Sequence, residues 1–262
     1  HMKRGNSCPY PIWNKMVKLS KRMKAVASMV TPGNILADIG TDHGYVPIAL
    51  VQRERIPKAI AMDINKGPLQ RAKDNIVLYH MEEYIETRLS DGVDALLEGE
   101  VDTILIAGMG GELVIHILEA GEAVCRNAKE LILQPQSDIR RVRSYLRENK
   151  YKIVDEDMVF EDGKYYPMMK VIPVDVDTFW DNQKEQTMET CDIYGPLLLK
   201  NGNQVLRRFL VKQHRQMSQI LLQLELQPES EAICRRKQEV LEELHYNESA
   251  YTILGAIKNA GI

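Results

Sequence analysis

At 262 residues, 44% of them hydrophobic and 27% charged, the chain is long enough for one large domain or a core domain with an appendage, and apolar enough to bury a full core. It has no run of about twenty apolar residues and no basic-then-apolar leader with a small-residue cleavage site, which points away from a membrane and toward the cytoplasm. The formal net charge of −3 hides a segregation: no acidic residue precedes Asp38, whereas Lys3, Arg4, Lys15, Lys18, Lys21, Arg22 and Lys24 all lie there.

His1 before Met2 reads as a tag remnant and carries no functional weight. Val17 to Met29 reads as a basic amphipathic helix closed by the turn cluster Thr31-Pro32-Gly33-Asn34. A strand from Ile35 to Ile39 then runs into Gly40-Thr41-Asp42-His43-Gly44 and a helix from Tyr45 to Arg53. The glycines let the backbone come close to a ligand, and the helix start points free amide groups at it. A dinucleotide site wants G-x-G-x-x-G, but Asp42 stands where the middle glycine belongs. Asp38 two residues before Gly40, with Gly44 four residues on, fits S-adenosylmethionine instead. That cofactor has no pyrophosphate, and its amino group and sulfonium tolerate carboxylates as neighbours.

Ala59 to Asp63 is a short apolar run ending in a carboxylate, and an acid at a second strand tip accepts bonds from both ribose hydroxyls of an adenosine. A helix from Gly67 to His80, with Pro68 at its start, leads to a strand from Ile85 to Leu89 and then to Asp91-Gly92. There the carboxylate suits the adenine amino group and the glycine leaves room for the ring. A short helix, Val93 to Leu97, precedes the strand Thr103 to Ala107, which ends in Gly108-Met109-Gly110-Gly111. This turn occupies the place where amino-group methyltransferases often carry an Asn/Asp-Pro-Pro-aromatic motif. Its absence favours a ring nitrogen or another acceptor over an exocyclic amine.

Glu112 to Ala123 reads as one helix, and Leu131 to Leu133 as a fifth strand stopped by Gln134-Pro135-Gln136. Ser137 and Asp138 are N-cap candidates for a helix over 139–149 that bears Arg140, Arg141, Arg143 and Arg147. Strands from Lys152 to Phe160 and from Tyr165 to Ile172 flank the hairpin turn Glu161-Asp162-Gly163-Lys164. Alternating helices and strands closed by a hairpin predict an α/β fold with a doubly wound, mostly parallel sheet.

From Asp177 the texture changes. Val205 to Leu226 and Ser230 to Leu244 are helical by spacing, broken at Leu226-Gln227-Pro228-Glu229, and a final helix runs from Ser249 to Asn259. The first two form an antiparallel, coiled-coil-like hairpin. Its first arm falls in an acid-free stretch, Ile193 to Leu224, carrying Lys200, Arg207, Arg208, Lys212 and Arg215. Such a hairpin serves either as a clamp on an anionic partner or as a cap or dimer contact. The three basic clusters match the footprint of a nucleic-acid-binding face, the alternative being solvated helix faces. Cys8, Cys125, Cys191 and Cys234 are far apart with no C-x-x-C, which suits free thiols rather than a disulfide frame or a zinc site. No metal is expected.

Leu19-Ser20-Lys21-Arg22-Met23, the run from Ala37 to Pro47, Asp63-Ile64-Asn65, Asp91-Gly92, Ala107 to Gly111 and Leu133 to Gln136 together resemble the bacterial tRNA (adenine-22-N1)-methyltransferase family. Met23 stands where leucine is expected, a volume-conserving change. The resemblance implies a class I, Rossmann-like methyltransferase domain acting on tRNA; the chain is expected to divide into this domain over 1–174 and a helical domain over 175–262, with a monomer favoured. It implies S-adenosylmethionine held by Asp38, Gly40, Thr41, Gly44, Asp63, Ile64, Asn65, Asp91, Gly92, Gly108, Met109 and Gly110.

Adenine N1 has an in-plane lone pair and no proton, so positioning it against the donor methyl supplies much of the acceleration. Asp42 is the candidate catalytic residue, orienting the exocyclic amine or acting as a base, unless it merely caps the next helix. His43 either joins it at the target base or is structural. Tyr45 either stacks on the base, a contact worth roughly 1–3 kcal/mol, or packs on the sheet. Arg22 either binds within the site, against the donor's carboxylate or the substrate, or sits on the surface. Arg207, Arg208 and Lys212 are the candidate RNA contacts of the extension. Two other readings stay open, a methyltransferase of a small molecule and a non-catalytic RNA-binding protein.

Overall fold

In the computed structural model, which describes residues 16–174 and 185–259, helix and strand alternate as α1 (Lys21–Met29), β1 (Leu36–Ile39), α2 (Tyr45–Gln52), β2 (Ala59–Asp63), α3 (Lys66–Leu78), β3 (Ile85–Leu89) and β4 (Thr103–Ala107). There follow α4 (Gly111–Ala120), α5 (Glu122–Asn127), β5 (Glu130–Gln134), α6 (Ile139–Glu148), β6 (Tyr151–Glu161) and β7 (Lys164–Pro173). Then come α7 (Glu185–Tyr194), α8 (Pro196–Lys200), α9 (Gln204–Glu225) and α10 (Glu231–Asn259). Lys3, Arg4, Lys15 and Cys8 lie outside the described residues.

The strands form one seven-stranded sheet in the order β3-β2-β1-β4-β5-β7-β6. β1 to β5 are mutually parallel, and β7 runs antiparallel to both β5 and β6. This is the doubly wound, mostly parallel sheet with a terminal hairpin that the sequence predicts. β1, β2 and β5 are buried along their whole length, so both faces are apolar and the runs read as continuous rather than alternating. Leu105 and Ile132 pack with Val26, Ile48 and Leu50 on one face. Ile104, Ile106 and Leu133 pack with Val114, Leu118 and Val142 on the other. The order reverses between β1 and β4, and a crevice outside the carboxyl ends of strands at such a switch point is where ligands bind.

The predicted helix from Val17 begins only at Lys21. Val17 and Leu19 are buried and Lys18 exposed, an extended alternation that mimics one side of a helix, and the Ser20 hydroxyl caps α1 by accepting from Met23 N at 3.2 Å. Glu161, at the tip of the β6–β7 hairpin, accepts from Lys21 N at 2.6 Å and Arg22 N at 3.3 Å, placing a carboxylate on the helix N-terminus. Asp162 and Gly163, both at positive φ (48° and 78°), make the two-residue turn that matches strand twist.

Four further expectations are corrected. Val93 to Leu97 forms turns, not a helix. The single helix over 112–123 is divided into α4 and α5 at Gly121, where a Cβ would collide with Val93. Of the two N-cap candidates for α6, Asp138 holds the position, with φ 51°, but makes no capping bond through its side chain, which accepts from Ser137 Oγ at 2.7 Å. The last two predicted helices are one continuous α10, and α7 and α8 were not foreseen. The α9–α10 hairpin is antiparallel, with Leu206, Leu210, Ala250 and Leu254 seated on Met158 and Tyr194, and Met217, Leu224 and Val240 forming a separate cluster farther along.

Candidate active site

The turn after β1 is shaped by its backbone. Gly40 and Thr41 both donate to the Met62 carbonyl at 2.8 Å, and Gly40 takes φ 73°, a conformation that a Cβ disfavours. A Cβ at Gly40 would also overlap the Met109 side chain, which closes over it from the β4 turn. Gly44, in left-handed conformation, is the N-cap of α2, and no side chain caps that helix. Asp42 is therefore not a capping residue.

This turn forms one wall of a cleft at the carboxyl ends of β1 and β4. Asp38, Gly40, Thr41, Asp42, His43, Gly44 and Tyr45 line it, with Arg22 from α1 and Gly108 and Gln136 from the turns after β4 and β5. Asp38 lies at its base, 8% exposed. Burial raises its carboxyl to about 6, opposed by the Thr41 hydroxyl and reinforced by the nearby Asp63.

Asp42 is exposed but engaged. One oxygen is held by Arg71 of α3, whose Nε donates at 3.0 Å and whose Nη2 closes the pair, and the other lies 3.2 Å from His43 Nε2. The His43 ring stacks parallel on Tyr45, centroids 5.1 Å apart and planes at 9°, and Asn75 fixes the turn by donating to the His43 carbonyl at 2.9 Å. Arg22 is not a free surface residue: Nη1 donates to Gln134 Oε1 at 2.8 Å, and the guanidinium sits 5.3 Å from the centre of the Tyr166 ring.

The remaining cofactor candidates stand at neighbouring strand ends and turns, outside the lining of this cleft. Asp63 is buried and accepts from Asn65 N at 2.7 Å, while Ile64 beside it is 56% exposed. Asp91 is exposed at the end of β3, and Gly92 sits over Ile117, 3.1 Å from where its Cβ would lie. Gly110 is the N-cap of α4. Arg207, Arg208 and Lys212 are on α9, away from the cleft. Arg207 donates to the Leu254 carbonyl at 3.4 Å, Arg208 is exposed, and Lys212 Nζ lies 5.7 Å from the centre of the Tyr165 ring. Sequence reasoning assigned nothing to Arg71, Asn75, Tyr166, Gln134 or Gln136; only the last two carried a signal, as part of the Leu133–Gln136 run.

The donor set suits S-adenosylmethionine. A buried carboxylate in the cleft calls for a cation, an arginine in the same lining calls for a carboxylate, and Gly40, Gly44 and Gly108 bring backbone to that lining. Sheet order and site together define an S-adenosylmethionine-dependent methyltransferase of class I. Residues 19–169 match the methyltransferase-domain family. The chain is 37% identical over 189 residues to the tRNA (adenine(22)-N(1))-methyltransferase of Bacillus subtilis, covering 72% of this chain and 78% of that one. The crystal structure of the B. subtilis M1A22 tRNA methyltransferase TrmK superposes with a TM-score of 0.77 at 31% identity, over 89% of this chain and 99% of that one. Streptococcus pneumoniae Sp1610 in complex with S-adenosyl-L-methionine gives 0.74 at 31% identity, with the same coverage of 89% and 99%. The chain belongs to the tRNA (adenine-22-N1)-methyltransferase family. Among the described residues no helix is long and apolar enough to cross a membrane.

Proposed function

We propose that this chain transfers the methyl group of S-adenosylmethionine to N1 of adenine 22 in tRNA, the activity in the name of its B. subtilis relative. The observation that carries the reading is the gathering of Arg22, Asp38, Asp42, His43 and Tyr45 around one cleft at the switch point of the sheet. The bound cofactor supplies an electrophilic methyl on a cationic sulfur. Asp38 holds its ammonium, and Arg22, fixed by Gln134 and Tyr166, holds its carboxylate. Asp63 takes the ribose hydroxyls with Ile64 and Asn65 alongside, and Asp91 takes the adenine amine beside Gly92. Thr41, Gly44, Gly108, Met109 and Gly110 complete the backbone cradle. Asp42 accepts from the exocyclic amine of the target base, and the His43–Tyr45 stack offers a face against which that base lies. N1 carries no proton, so the residues need only orient it.

Residues 1–174 act as the catalytic domain and 175–262 as the tRNA grip, in a cytoplasmic monomer with no metal. Arg208 and Lys212 are two of the exposed cations of that grip, beside Lys200 and Arg215. Their double alanine variant should bind tRNA roughly 5- to 30-fold more weakly, with the slope of log affinity against log salt reduced by about 1 to 2. Cofactor affinity should not change. An unaltered salt slope in filter-binding titrations argues against phosphate contacts by α9.

The reading is tested by incubating unmodified tRNA with labelled cofactor and identifying the product nucleoside by mass spectrometry. N1-methyladenosine at position 22 is expected, and its loss from a tRNA lacking that adenine. Methylation of a small molecule but not of tRNA overturns it.

Asp38 gives a pH-dependent result. Its carboxyl titrates at about 6 in the fold against an ordinary value of 3.8. Between these values the folded state keeps a proton that the unfolded state has lost, so stability falls as pH rises through the window and the full penalty stands above 6. Asp38→Asn should therefore stabilise the cofactor-free protein by on the order of 1–3 kcal/mol at pH 7.5, and hardly at all near pH 4. The same change should weaken cofactor binding about 10- to 100-fold. Thermal melts at the two pH values and calorimetric titration check both halves.

A further inference from the structure

Gln134 and Gln136 flank Pro135 at the end of β5, and the structure uses them differently. Gln134 is fully buried; its carbonyl accepts from Arg22 and its amino group donates to the Pro135 carbonyl at 3.2 Å. Gln136 has its backbone pinned, its N donating to the Met109 carbonyl at 2.8 Å, while its side chain reaches into the cleft. Its Nε2 lies 3.7 Å from where a Cβ on Gly108 would sit, so the carboxamide stands beside the turn after β4 at ordinary contact distance. Gln136 is exposed, and among the described residues its carboxamide makes no hydrogen bond to the protein, so donor and acceptor are both available to a ligand at the rim of the cleft shared with Asp42, His43 and Tyr45.

We infer that Gln136 reads the Hoogsteen edge of the target adenine, its carbonyl accepting from N6–H and its amino group donating to N7. The inference rests on the reading of the chain as an adenine-N1 methyltransferase. A base methylated at N1 must keep that nitrogen clear of donors, because any donor to N1 would occupy the lone pair that attacks. The other edge of adenine that presents a donor and an acceptor side by side is N6 and N7, and a planar carboxamide matches it with two parallel bonds. Guanine presents O6 and N7, two acceptors, and would set a carbonyl against the Gln136 carbonyl. The exocyclic amine has two hydrogens, one on the N1 side and one on the N7 side, so Asp42 and Gln136 take one each without competing. Gln136 is thus a substrate-specificity residue.

The test is an atomic substitution in the RNA. A tRNA ligated to carry 7-deazaadenosine at position 22 replaces N7 by C–H and keeps N1 and N6; its more electron-rich ring does nothing to weaken N1 as a nucleophile. The wild-type enzyme should lose roughly 5- to 100-fold in kcat/KM on this RNA, and Gln136→Ala should lose a similar factor on ordinary tRNA. On the deaza RNA, Gln136→Ala should lose nothing more. Equal losses in both enzymes, or no loss in the wild type, overturn the inference while leaving the activity in place. Absence of methylated adenosine from unsubstituted tRNA overturns the underlying reading as well and is seen in a separate arm. The wild-type measurement stands even if the variant proves unstable, and cofactor titration of Gln136→Ala reports whether its pocket is intact.

Discussion

Asp42→Asn should lower kcat by about 10²- to 10³-fold while leaving cofactor affinity within roughly threefold of wild type. As N1 attacks, positive charge moves from sulfur onto the purine, and the hydrogens on the exocyclic amine become more acidic. A carboxylate accepting one of them is bound more strongly in the transition state than in the ground state, which is the condition for raising kcat rather than merely lowering KM. Asparagine keeps an acceptor oxygen and the shape of the turn but removes the charge. The geometry favours orientation over proton removal, because Arg71 and His43 already claim both Asp42 oxygens and hold the carboxylate in place. Single-turnover methyl transfer at saturating tRNA and cofactor gives the chemical step directly. A rate within about threefold of wild type would leave Asp42 with no part in the chemistry.

How much of this site could be read from the chain depends on whether its parts are local. The strand tips were legible because a buried parallel strand is a compact apolar run and its end is marked by Asp, Gly or both; Asp38, Asp63 and Asp91 stand at such ends. The hairpin was legible from Asp162-Gly163, whose positive φ values leave few residue choices. What escaped were pairings across the fold. Arg71 meets Asp42 over 29 positions of sequence, and Arg22 meets Gln134 over 112; nothing in spacing anticipates either. Two misreadings have local causes. Val93 and Leu96 sit three apart like a helical stripe, but Gly92 at φ 51° and the Ser90 hydroxyl, which accepts from Ala95 N at 3.1 Å, hold the segment in turns. Asn247 lies in the gap between the helices predicted to end at Leu244 and to begin at Ser249. It is fully buried, donating to the Leu210 carbonyl at 3.1 Å and to Gln213 at 3.0 Å, and so ties α10 to α9 without interrupting it. The missed α8 did carry a signal, Pro196 at its first position.

The largest loss of stability is expected from Arg143→Met, about 3–5 kcal/mol at pH 7.5 in equilibrium unfolding. Arg143 is 1% exposed in the middle of α6; its Nε donates to Glu156 of β6 at 3.0 Å, and Nη1 donates to the Asp192 and Ile193 carbonyls at 3.0 Å each. Glu156 in turn accepts from Leu197 N at 2.8 Å at the start of α8. Gly195 lets the chain pass, since a Cβ there would lie 2.9 Å from Arg143 Nη2. One ion pair thus joins the catalytic sheet to the helices that carry the α9–α10 hairpin. Burial pushes the Glu156 carboxyl up, and the Arg143 guanidinium pulls it back. With the cation gone the pull is lost, and the folded state retains a proton that the unfolded state releases above its ordinary value. Stability of the variant should therefore fall as pH rises, so its deficit against wild type is larger at pH 8 than at pH 5. Replacing both partners, as Arg143→Met with Glu156→Leu, should recover much of the loss, because most of it comes from leaving one buried charge alone rather than from the worth of the pair. A deficit independent of pH, or a double variant no better than the single one, would mean that the arginine acts through its carbonyl contacts in α7 and not through Glu156. The consequence for function follows from position: α6 starts three residues beyond Gln136 at the cleft and packs along α7 through Arg140, Arg143 and Arg147. A loosened Arg143 should then raise KM for tRNA more than it lowers kcat, since it frees the hairpin while leaving Asp42 and the cofactor turn untouched.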